Sequence, residues 1–213
     1  MKIKLLGKNL DELKALVAEE GLPGFTAKQI AQWLYVKKVE SIEEMTNLSK
    51  AARAQLAQKY EVGLTEYAGL QISSDGTKKY LFELIDGECI ESVFMKYEHG
   101  NTLCISSQVG CRMGCSFCAS GLCGLKRNLT ASEMLAQIMT AAKDNGIRVS
   151  NVVMMGMGEP LDNFDNSVKF LQLVSCDNGL NIGLRHISLS TSGVVSRIKD
   201  LKDYNFPITL SIS

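Results

Sequence analysis

The sequence lacks the features that would place a protein in or across a membrane. No apolar run approaches the roughly 18 residues of a membrane-spanning helix. The N-terminal stretch MKIKLLGKNLDELK contains no apolar core of a secretion signal. Neither sign of charge is in excess, because Lys plus Arg and Asp plus Glu both number 23, so no overall basic field indicates a nucleic-acid binder. The seven cysteines are an odd number, which disfavours a disulfide framework. We therefore expect a cytoplasmic protein with reduced thiols and no membrane partner.

What the sequence does have is enough apolar material for a large core. Its 213 residues are 46% hydrophobic, which suits one large domain or two unequal ones. We expect residues 1–62 to form a small helical domain. Two patterns, Thr26 to Gln29 and Ser41 to Glu44, predict capping boxes that open helices. The apolar residues at helical spacing are Leu10, Leu13 and Val17. The predicted core residues of this domain are Trp33, Leu34 and Val36.

The middle and C-terminal parts of the chain follow different patterns. Residues 63–98 contain short alternating runs separated by Asp-Gly turn signals, which predict an antiparallel β meander. From 99 to 213, strands alternate with helices, one of them opened by a capping box at Thr130 to Glu133. Alternation of this kind builds a parallel sheet with helices outside it. Reactive groups in such folds gather at the carboxyl ends of the strands, so we expect the site there.

Three cysteines lie in a loop after the first strand of this alternating part. Cys111, Cys115 and Cys118 have the spacing C-x3-C-x2-C, with Phe117 directly before the last thiol. Iron-sulfur clusters are usually held by four thiolates, so three leave one iron open to a cofactor or substrate. The loop resembles the signature of the radical S-adenosylmethionine superfamily, whose members chelate the cofactor on that open iron. This resemblance implies a four-iron, four-sulfur cluster and S-adenosylmethionine.

Zinc is the alternative ligand for these cysteines. Cys115 and Cys118 also have the spacing of a zinc-knuckle pair, and Cys104 or Cys123 would complete a set of four ligands. Zinc would make the loop a structural site without an open position. Further motifs at neighbouring strand ends favour the iron-sulfur cluster over this alternative.

Two such motifs follow the next two strands. The turn from Gly156 to Glu159 has closely spaced glycines that let a ligand approach the backbone, but it lacks the G-x-G-x-x-G fingerprint of dinucleotide sites. It resembles the Gly-Gly-Glu element that holds the amino group of S-adenosylmethionine. Ser190 lies in the segment LSTSG at the end of the following strand, where its hydroxyl is available to a cofactor.

Longer stretches resemble one family within that superfamily. From 89 to 213 the chain, including CISSQVGCRMGCSFC, GLKRNLTASE, MGMGEPLDN and NGLNIGLRHISLSTSG, is similar to the RlmN-type methyltransferases of adenine carbon 2 in ribosomal and transfer RNA. Pro160 favours this family over the related carbon-8 methyltransferases, which typically carry Ala there. The resemblance implies an α/β fold: a partial (β/α)6 radical-SAM barrel, incomplete at the C-terminus, preceded by the helical domain and the meander.

The resemblance also implies a role for individual residues. Glu91 matches the proton acceptor, although from the sequence alone it is a strand-surface carboxylate. Cys104 matches the thiol that resolves the enzyme-RNA adduct, whereas its plain interpretation is a small buried strand residue. The implied cluster ligands are Cys111, Cys115 and Cys118, and the implied contacts to S-adenosylmethionine are Gly158, Glu159, Ser190 and Ser213. Residues without an implied role are Cys89 and Cys176 as structural thiols, His99 in a loop and His186 in a strand.

The methyl-carrying cysteine of this family comes well after the position of Ser213, the last residue of this chain. We therefore expect the chain to be the N-terminal portion of an RNA methyltransferase. The alternative is a non-catalytic remnant that binds the cluster or RNA without turnover. The partners implied by the resemblance are 23S ribosomal RNA, transfer RNA and a reducing electron donor such as flavodoxin, and the complete protein is expected to be a monomer.

Overall fold

The N-terminal part of the protein is a small helical layer closed by a short strand pair. The computed structural model describes residues 2–98, 100–177 and 179–213, so His99 lies outside the described residues. The elements of this layer are β1 (Ile3–Lys4), α1 (Leu10–Glu19), α2 (Thr26–Ala31), a π-helical turn (Gln32–Lys37), a 3-10 turn (Ile42–Glu44), α3 (Lys50–Lys59) and β2 (Tyr60–Glu61). Strand β1 pairs in parallel with β2, so the two ends of the layer lie side by side.

The helix starts in this layer differ from the sequence expectation in two places. Thr26 opens no capping box, because it is the buried first residue of α2 and the preceding Phe25 makes no side-chain cap. The Ser41 box does form, with the Glu44 carboxylate accepting from the Ser41 backbone N–H at 2.8 Å. It opens only the three-residue 3-10 turn. Helix α1 has a capping box that the sequence analysis missed, between Asn9 and Glu12.

The predicted core of the helical layer is correct for two of three residues. Trp33 and Leu34 are buried, whereas Val36 is 55% exposed. The physical reason is the π-helical turn, which places Trp33, Leu34 and Tyr35 toward the interior and leaves Val36 on the outer side.

The rest of the chain builds one open, mixed sheet with helices packed on it. The strands of this part of the chain, in that sheet and in a separate hairpin, are β3 (Tyr67–Ile72), β4 (Lys78–Glu83), β5 (Cys89–Tyr97) and β6 (Gly100–Cys104), then β7 (Gln108–Gly110) and β8 (Leu125–Asn128), and finally β9 (Asn151–Met154), β10 (Ile187–Thr191) and β11 (Thr209–Ile212). The helices are α4 (Ala131–Asn145), α5 (Phe164–Ser175) and α6 (Val195–Lys202). Strands β7 and β8 form a separate hairpin, and the other seven follow the order β11-β10-β9-β6-β5-β4-β3.

The topology confirms the α/β prediction of a meander followed by parallel strands. Strands β3 to β6 pair antiparallel, and β6, β9, β10 and β11 pair parallel with helices between them in sequence. Within the described residues the sheet does not close into a barrel. Because β5 pairs directly with β6, the meander and the parallel strands share one sheet. The division of the chain at residues 62 and 98 stays a prediction.

Local sequence explains the edges of these elements. Thr130 and Glu133 form the predicted capping box of α4, and Gly146 ends the helix in the left-handed region at φ 61°. His186 was predicted in a strand but lies in a 3-10 turn before β10, where its Nδ1 is 3.1 Å from Asn151 Oδ1. No helix in the described ranges is both long and apolar enough to span a membrane.

Candidate active site

One face of the sheet is covered by helices and the other carries the predicted catalytic residues. Along β5, Ile90, Ser92 and Phe94 are buried, while the alternate residues face the open side. In the register, Val93 lies opposite Cys104. Residues directly opposite share a face. Glu91, two residues before Val93, therefore lies on the same open face as Cys104.

The strand register shows which residues of β9 and β10 lie on the same open face. Cys104 lies opposite Val153, and Val153 lies opposite Ser188, two residues before Ser190. The Oγ atoms of Ser190 and Ser213 are 3.4 Å apart. The structure therefore brings four of the predicted site residues to one open face: Glu91, Cys104, Ser190 and Ser213.

Glu91 and Cys104 have different surroundings on this face. The Glu91 carboxylate forms an ion pair with Lys79 at 3.0 Å, and both side chains are close to half exposed. Cys104 is more sheltered, and burial raises the pKa of its thiol, with a hydrogen bond from the Met155 backbone partly opposing that rise. At neutral pH Cys104 therefore holds its proton, while Glu91 faces a cation.

The three predicted ligands lie in the segment 111–124, called here the cysteine loop, between β7 and β8. Gly110 precedes it at φ +73°, and a Cβ there would lie 1.9 Å from the Gly124 carbonyl oxygen, so only glycine fits. Cys118 donates its backbone N–H to the Cys115 carbonyl at 3.1 Å, which forms a turn between the two. Phe117 is 84% exposed. The hairpin thus presents the cysteines at its open end.

The cysteines share one electrostatic neighbourhood. Cys111 is buried, and this burial raises the pKa of its thiol. A hydrogen bond from the Met113 N–H, at 3.5 Å, lowers that pKa, whereas Glu159, Cys118 and Cys115 raise it further. Cys115 and Cys118 are partly exposed. Thiolates placed together repel one another, so a bound cation or cluster would relieve this repulsion.

The donor set fits an iron-sulfur cluster with one open iron. Among the residues described, no group of three or more His, Cys, Asp or Glu is already arranged around a metal position. The loop contributes soft sulfur donors, which are the ligands of such clusters. Cys104, one candidate fourth zinc ligand, lies in the sheet rather than in the loop. That leaves Cys123, which is exposed, to complete a tetrahedral site.

The turn that follows β9, residues 155–163, packs directly against the segment leading into the cysteine loop. This β9 turn donates from the Gly156 N–H to the Ile105 carbonyl at 3.0 Å. Gly158 has φ +98°, and a Cβ there would lie 2.5 Å from the Gln108 side chain. The Glu159 N–H donates to Gln108 Oε1 at 2.8 Å. Glycine is therefore required where the turn touches the strand that enters the loop.

The Glu159 side chain joins two strand ends. It is 3% exposed. Its Oε1 accepts from the Leu161 N–H at 2.9 Å, and its Oε2 accepts from the N–H and Oγ of Ser192 at 2.7 and 3.0 Å. The carboxylate therefore fastens the β9 turn to the turn after β10. The family resemblance implies that Glu159 contacts a cofactor, and nothing in the sequence indicates this second role.

Other residues of the site carried no signal in the sequence. Arg112 and Asp162 form a two-point ion pair although they are 50 positions apart. Buried Gln137 accepts from the Ser92 Oγ and the Ser106 N–H and so fixes α4 to the back of the site. Pairs so far apart in the chain become neighbours only when the strands assemble.

Known proteins are similar to this chain over nearly its whole length. The model of the ribosomal RNA large subunit methyltransferase N-terminal domain matches residues 3–62, and that of the radical SAM superfamily matches residues 105–213. The chain is 52% identical to a probable dual-specificity RNA methyltransferase RlmN of Lachnoclostridium phytofermentans, covering 100% of this chain and 60% of that protein. A protein of the same description from Clostridium novyi is 50% identical, covering 98% and 61%.

A solved structure has the same fold. The crystal structure of a radical SAM methyltransferase from Sphaerobacter thermophilus has a TM-score of 0.92 and 40% identity, covering 99% of this chain and 63% of that one. The chain thus spans about three fifths of the length of the curated relatives it matches. Since the radical SAM model matches slightly more than half of the chain, the chain belongs to the radical SAM superfamily.

Proposed function

We propose that these residues form the cofactor-binding part of a radical SAM methyltransferase that modifies carbon 2 of an adenosine in 23S ribosomal RNA and transfer RNA. The single observation that carries this proposal is the contact of the cysteine loop with the β9 turn, through Arg112 and Asp162, next to one open sheet face that bears Glu91, Cys104 and Ser190. The printed descriptions of the relatives, as dual-specificity RNA methyltransferases, support the substrate class.

The cysteine loop would hold the cluster through Cys111, Cys115 and Cys118. A four-iron, four-sulfur cluster with S-adenosylmethionine supplies one-electron chemistry when bound. Gly158 and Glu159 would contact the cofactor, and the Gly158 carbonyl would hold its amino group. The Glu159 carboxylate already accepts from Leu161 and Ser192, and the Glu159 carbonyl accepts from the N–H groups of Asp162 and Asn163. The hydroxyls of Ser190 and Ser213 would bind its polar groups.

Residues on the open sheet face would accept the proton and release the product. Glu91, half exposed and paired with Lys79, would accept the proton of the adenine ring. The Cys104 sulfur would then attack the sulfur of the methyl-carrying cysteine, so that an S–S bond forms while the S–C bond to the methylene on the adenine breaks. The electron pair of the broken bond stays on that carbon, which takes up a proton and leaves as the methyl group of the product.

Several broader assignments belong to this proposal. Residues 1–62 would be an accessory domain, 63–98 a meander and 99–213 the radical SAM part. The protein would work in the cytoplasm, take its electron from a reducing donor such as flavodoxin, and act as a monomer when complete. These follow from the resemblance and not from any contact in the structure.

The test of the proposed site is anaerobic reconstitution of the chain with iron and sulfide. We expect about four irons per chain and charge-transfer absorbance, because three thiolates suit a cluster with one open iron. Replacing Cys111, Cys115 or Cys118 by Ala should abolish binding, and the matched loop variant Cys123→Ala should not. One tightly bound zinc per chain and no such absorbance would overturn the assignment.

The test of the methyltransferase activity needs the remaining length of the protein. The 213 residues would be joined to the remaining part of the Lachnoclostridium phytofermentans relative and assayed with cofactor, reductant and RNA. We expect methyladenosine in the RNA, and a covalent protein-RNA adduct with Cys104→Ala, because only release of the product then fails. Cluster binding without methyladenosine or adduct would favour the non-catalytic alternative.

A further inference from the structure

A chain of polar contacts joins the cysteine loop to the β9 turn. Arg112, the residue after Cys111, donates from Nε to Asp162 Oδ2 at 2.9 Å and from a terminal nitrogen to Asp162 Oδ1 at 2.8 Å. Asp162 Oδ2 also accepts from Gln108 Nε2 at 2.8 Å. Gln108 Oε1 accepts from the Glu159 N–H, also at 2.8 Å. The guanidinium is therefore fixed in a two-point geometry to a carboxylate that is itself held in place.

The two ends of this series of polar contacts differ in exposure. Gln108 is fully buried, and the Asp162 side chain is 16% exposed, whereas that of Arg112 is 60% exposed. The acceptor side is thus part of the folded core of the site, and the donor side belongs to the loop. A surface ion pair with two mobile partners contributes little, but here one partner is already ordered.

The loop has few other ties to the protein. Among the described residues, the hydrogen bonds made by residues 113–124 stay within the loop. Beyond the end of the loop, Arg127 in β8 pairs with Glu133 at 2.9 Å and with Asp86. Between Cys111 and Gly124, Arg112 is therefore the side chain that fastens the loop to the rest of the site.

We propose that the Arg112–Asp162 pair is a latch that fixes the cysteine loop against the β9 turn and slows the loss of a bound cluster. The part of this inference that concerns the cluster rests on the proposed function. Fastening the loop before a ligand binds removes conformational freedom that the ligand would otherwise have to remove. Arg112 and Asp162 are positioning residues, which hold the ligands and the cofactor turn without contacting the reacting atoms.

The experiment measures two rates in the same variants. Hydrogen exchange of residues 108–124 is followed in the chain without iron, and iron release to a chelator is followed in the reconstituted chain. Arg112→Gln and Asp162→Asn should each raise both rates about three- to tenfold, the effect expected for an ion pair with one ordered partner. The double variant should be no faster than Asp162→Asn alone, since the pair with Arg112 is already lost there.

Two control variants distinguish the effect of the Arg112–Asp162 pair from a general effect of charge near the loop. Lys126→Gln removes a positive charge from an exposed residue of β8, near the loop, and should change neither rate. Arg112→Asp combined with Asp162→Arg restores the opposite charges and should recover part of the slow exchange. An unfolding curve for each variant checks that the fold is kept, which the exposure of Arg112 favours.

Each outcome decides one of the two proposals. If exchange and iron release stay at the unmodified rates, the latch is wrong. If only iron release changes, the charges act on the cluster and not on the loop position, which also overturns the latch. If the unmodified chain takes up no cluster, the proposed function fails, while faster exchange in the variants would still support the latch.

Discussion

The β9 turn and the cysteine loop lie next to each other but are built in opposite ways. In the turn, Glu159 is 3% exposed and accepts three hydrogen bonds. In the loop, Phe117 and Leu122 are 84% and 86% exposed, and a Cβ added at Gly114 would meet no atom within 4 Å. The turn is ordered by the protein's own groups. Beyond the Arg112–Asp162 pair, the loop has room around Gly114, Phe117 and Leu122, which suits a segment that closes around what it binds.

The largest expected difference between the two regions comes from matched glycine substitutions. Gly158 and Gly114 both have positive φ, at +98° and +70°. Alanine should cost about 1–2 kcal/mol at either position from backbone strain alone. At Gly158 the added Cβ would also lie 2.5 Å from Gln108, which should add about 1–3 kcal/mol. Urea unfolding of Gly158→Ala and Gly114→Ala measures both losses. Equal losses would contradict the contrast between turn and loop.

Glu159→Gln should have the next largest effect. The amide keeps the shape of the side chain but replaces one acceptor oxygen by an NH2 donor. This donor then faces another donor, the backbone N–H of either Leu161 or Ser192. A buried donor left without a partner should lower the free energy of unfolding by about 2 kcal/mol. Glu91→Gln is the control, because its half-exposed pair with Lys79 should contribute at most about 1 kcal/mol. The same small loss in both variants would show that the Glu159 contacts do not hold the turn.

Local patterns in the sequence predicted the elements of the fold better than its contacts. The Thr130 capping box and the Asp-Gly turns act over a few residues, and the structure contains both. The Thr26 pattern was wrong, because that residue is buried within the packing of the helical layer. A residue's burial depends on distant elements that a four-residue pattern does not contain.

The candidate site shows the same difference between local patterns and long-range contacts. The spacing of Cys111, Cys115 and Cys118 is local, so the sequence sufficed to identify the loop. The polar groups that position it, such as Arg112 with Asp162, come from segments 50 residues apart and depend on how β7 meets the β9 turn. Such pairs leave no periodic or motif signal. The resemblance to a family supplied residue roles, but it did not supply these supporting contacts.

The smallest expected effect compares a sheet thiol with a loop thiol in the chain without iron. Alkylation requires the thiolate, and burial raises the pKa of Cys104, so its thiolate fraction at a given pH is lower than that of a free cysteine. Cys123 in the cysteine loop is exposed. Thiols ionise between about pH 7 and 10. In this range, labelling with iodoacetamide should be several-fold slower at Cys104 than at Cys123. Peptide mass spectrometry measures the two rates.

The same pKa shift also predicts a pH dependence of stability. In the unfolded chain the Cys104 thiol ionises at its ordinary pKa, whereas in the folded chain it keeps its proton to higher pH. Its contribution to stability is therefore complete below the ordinary thiol pKa and is lost as the pH rises through the folded value. Cys104→Ser should flatten this alkaline decline in urea unfolding experiments, and Cys123→Ser should leave it unchanged. Other groups with a raised pKa, such as Cys111, keep part of the decline in every variant. A decline as steep in Cys104→Ser as in the unmodified chain would show that the open sheet face does not shelter this thiol.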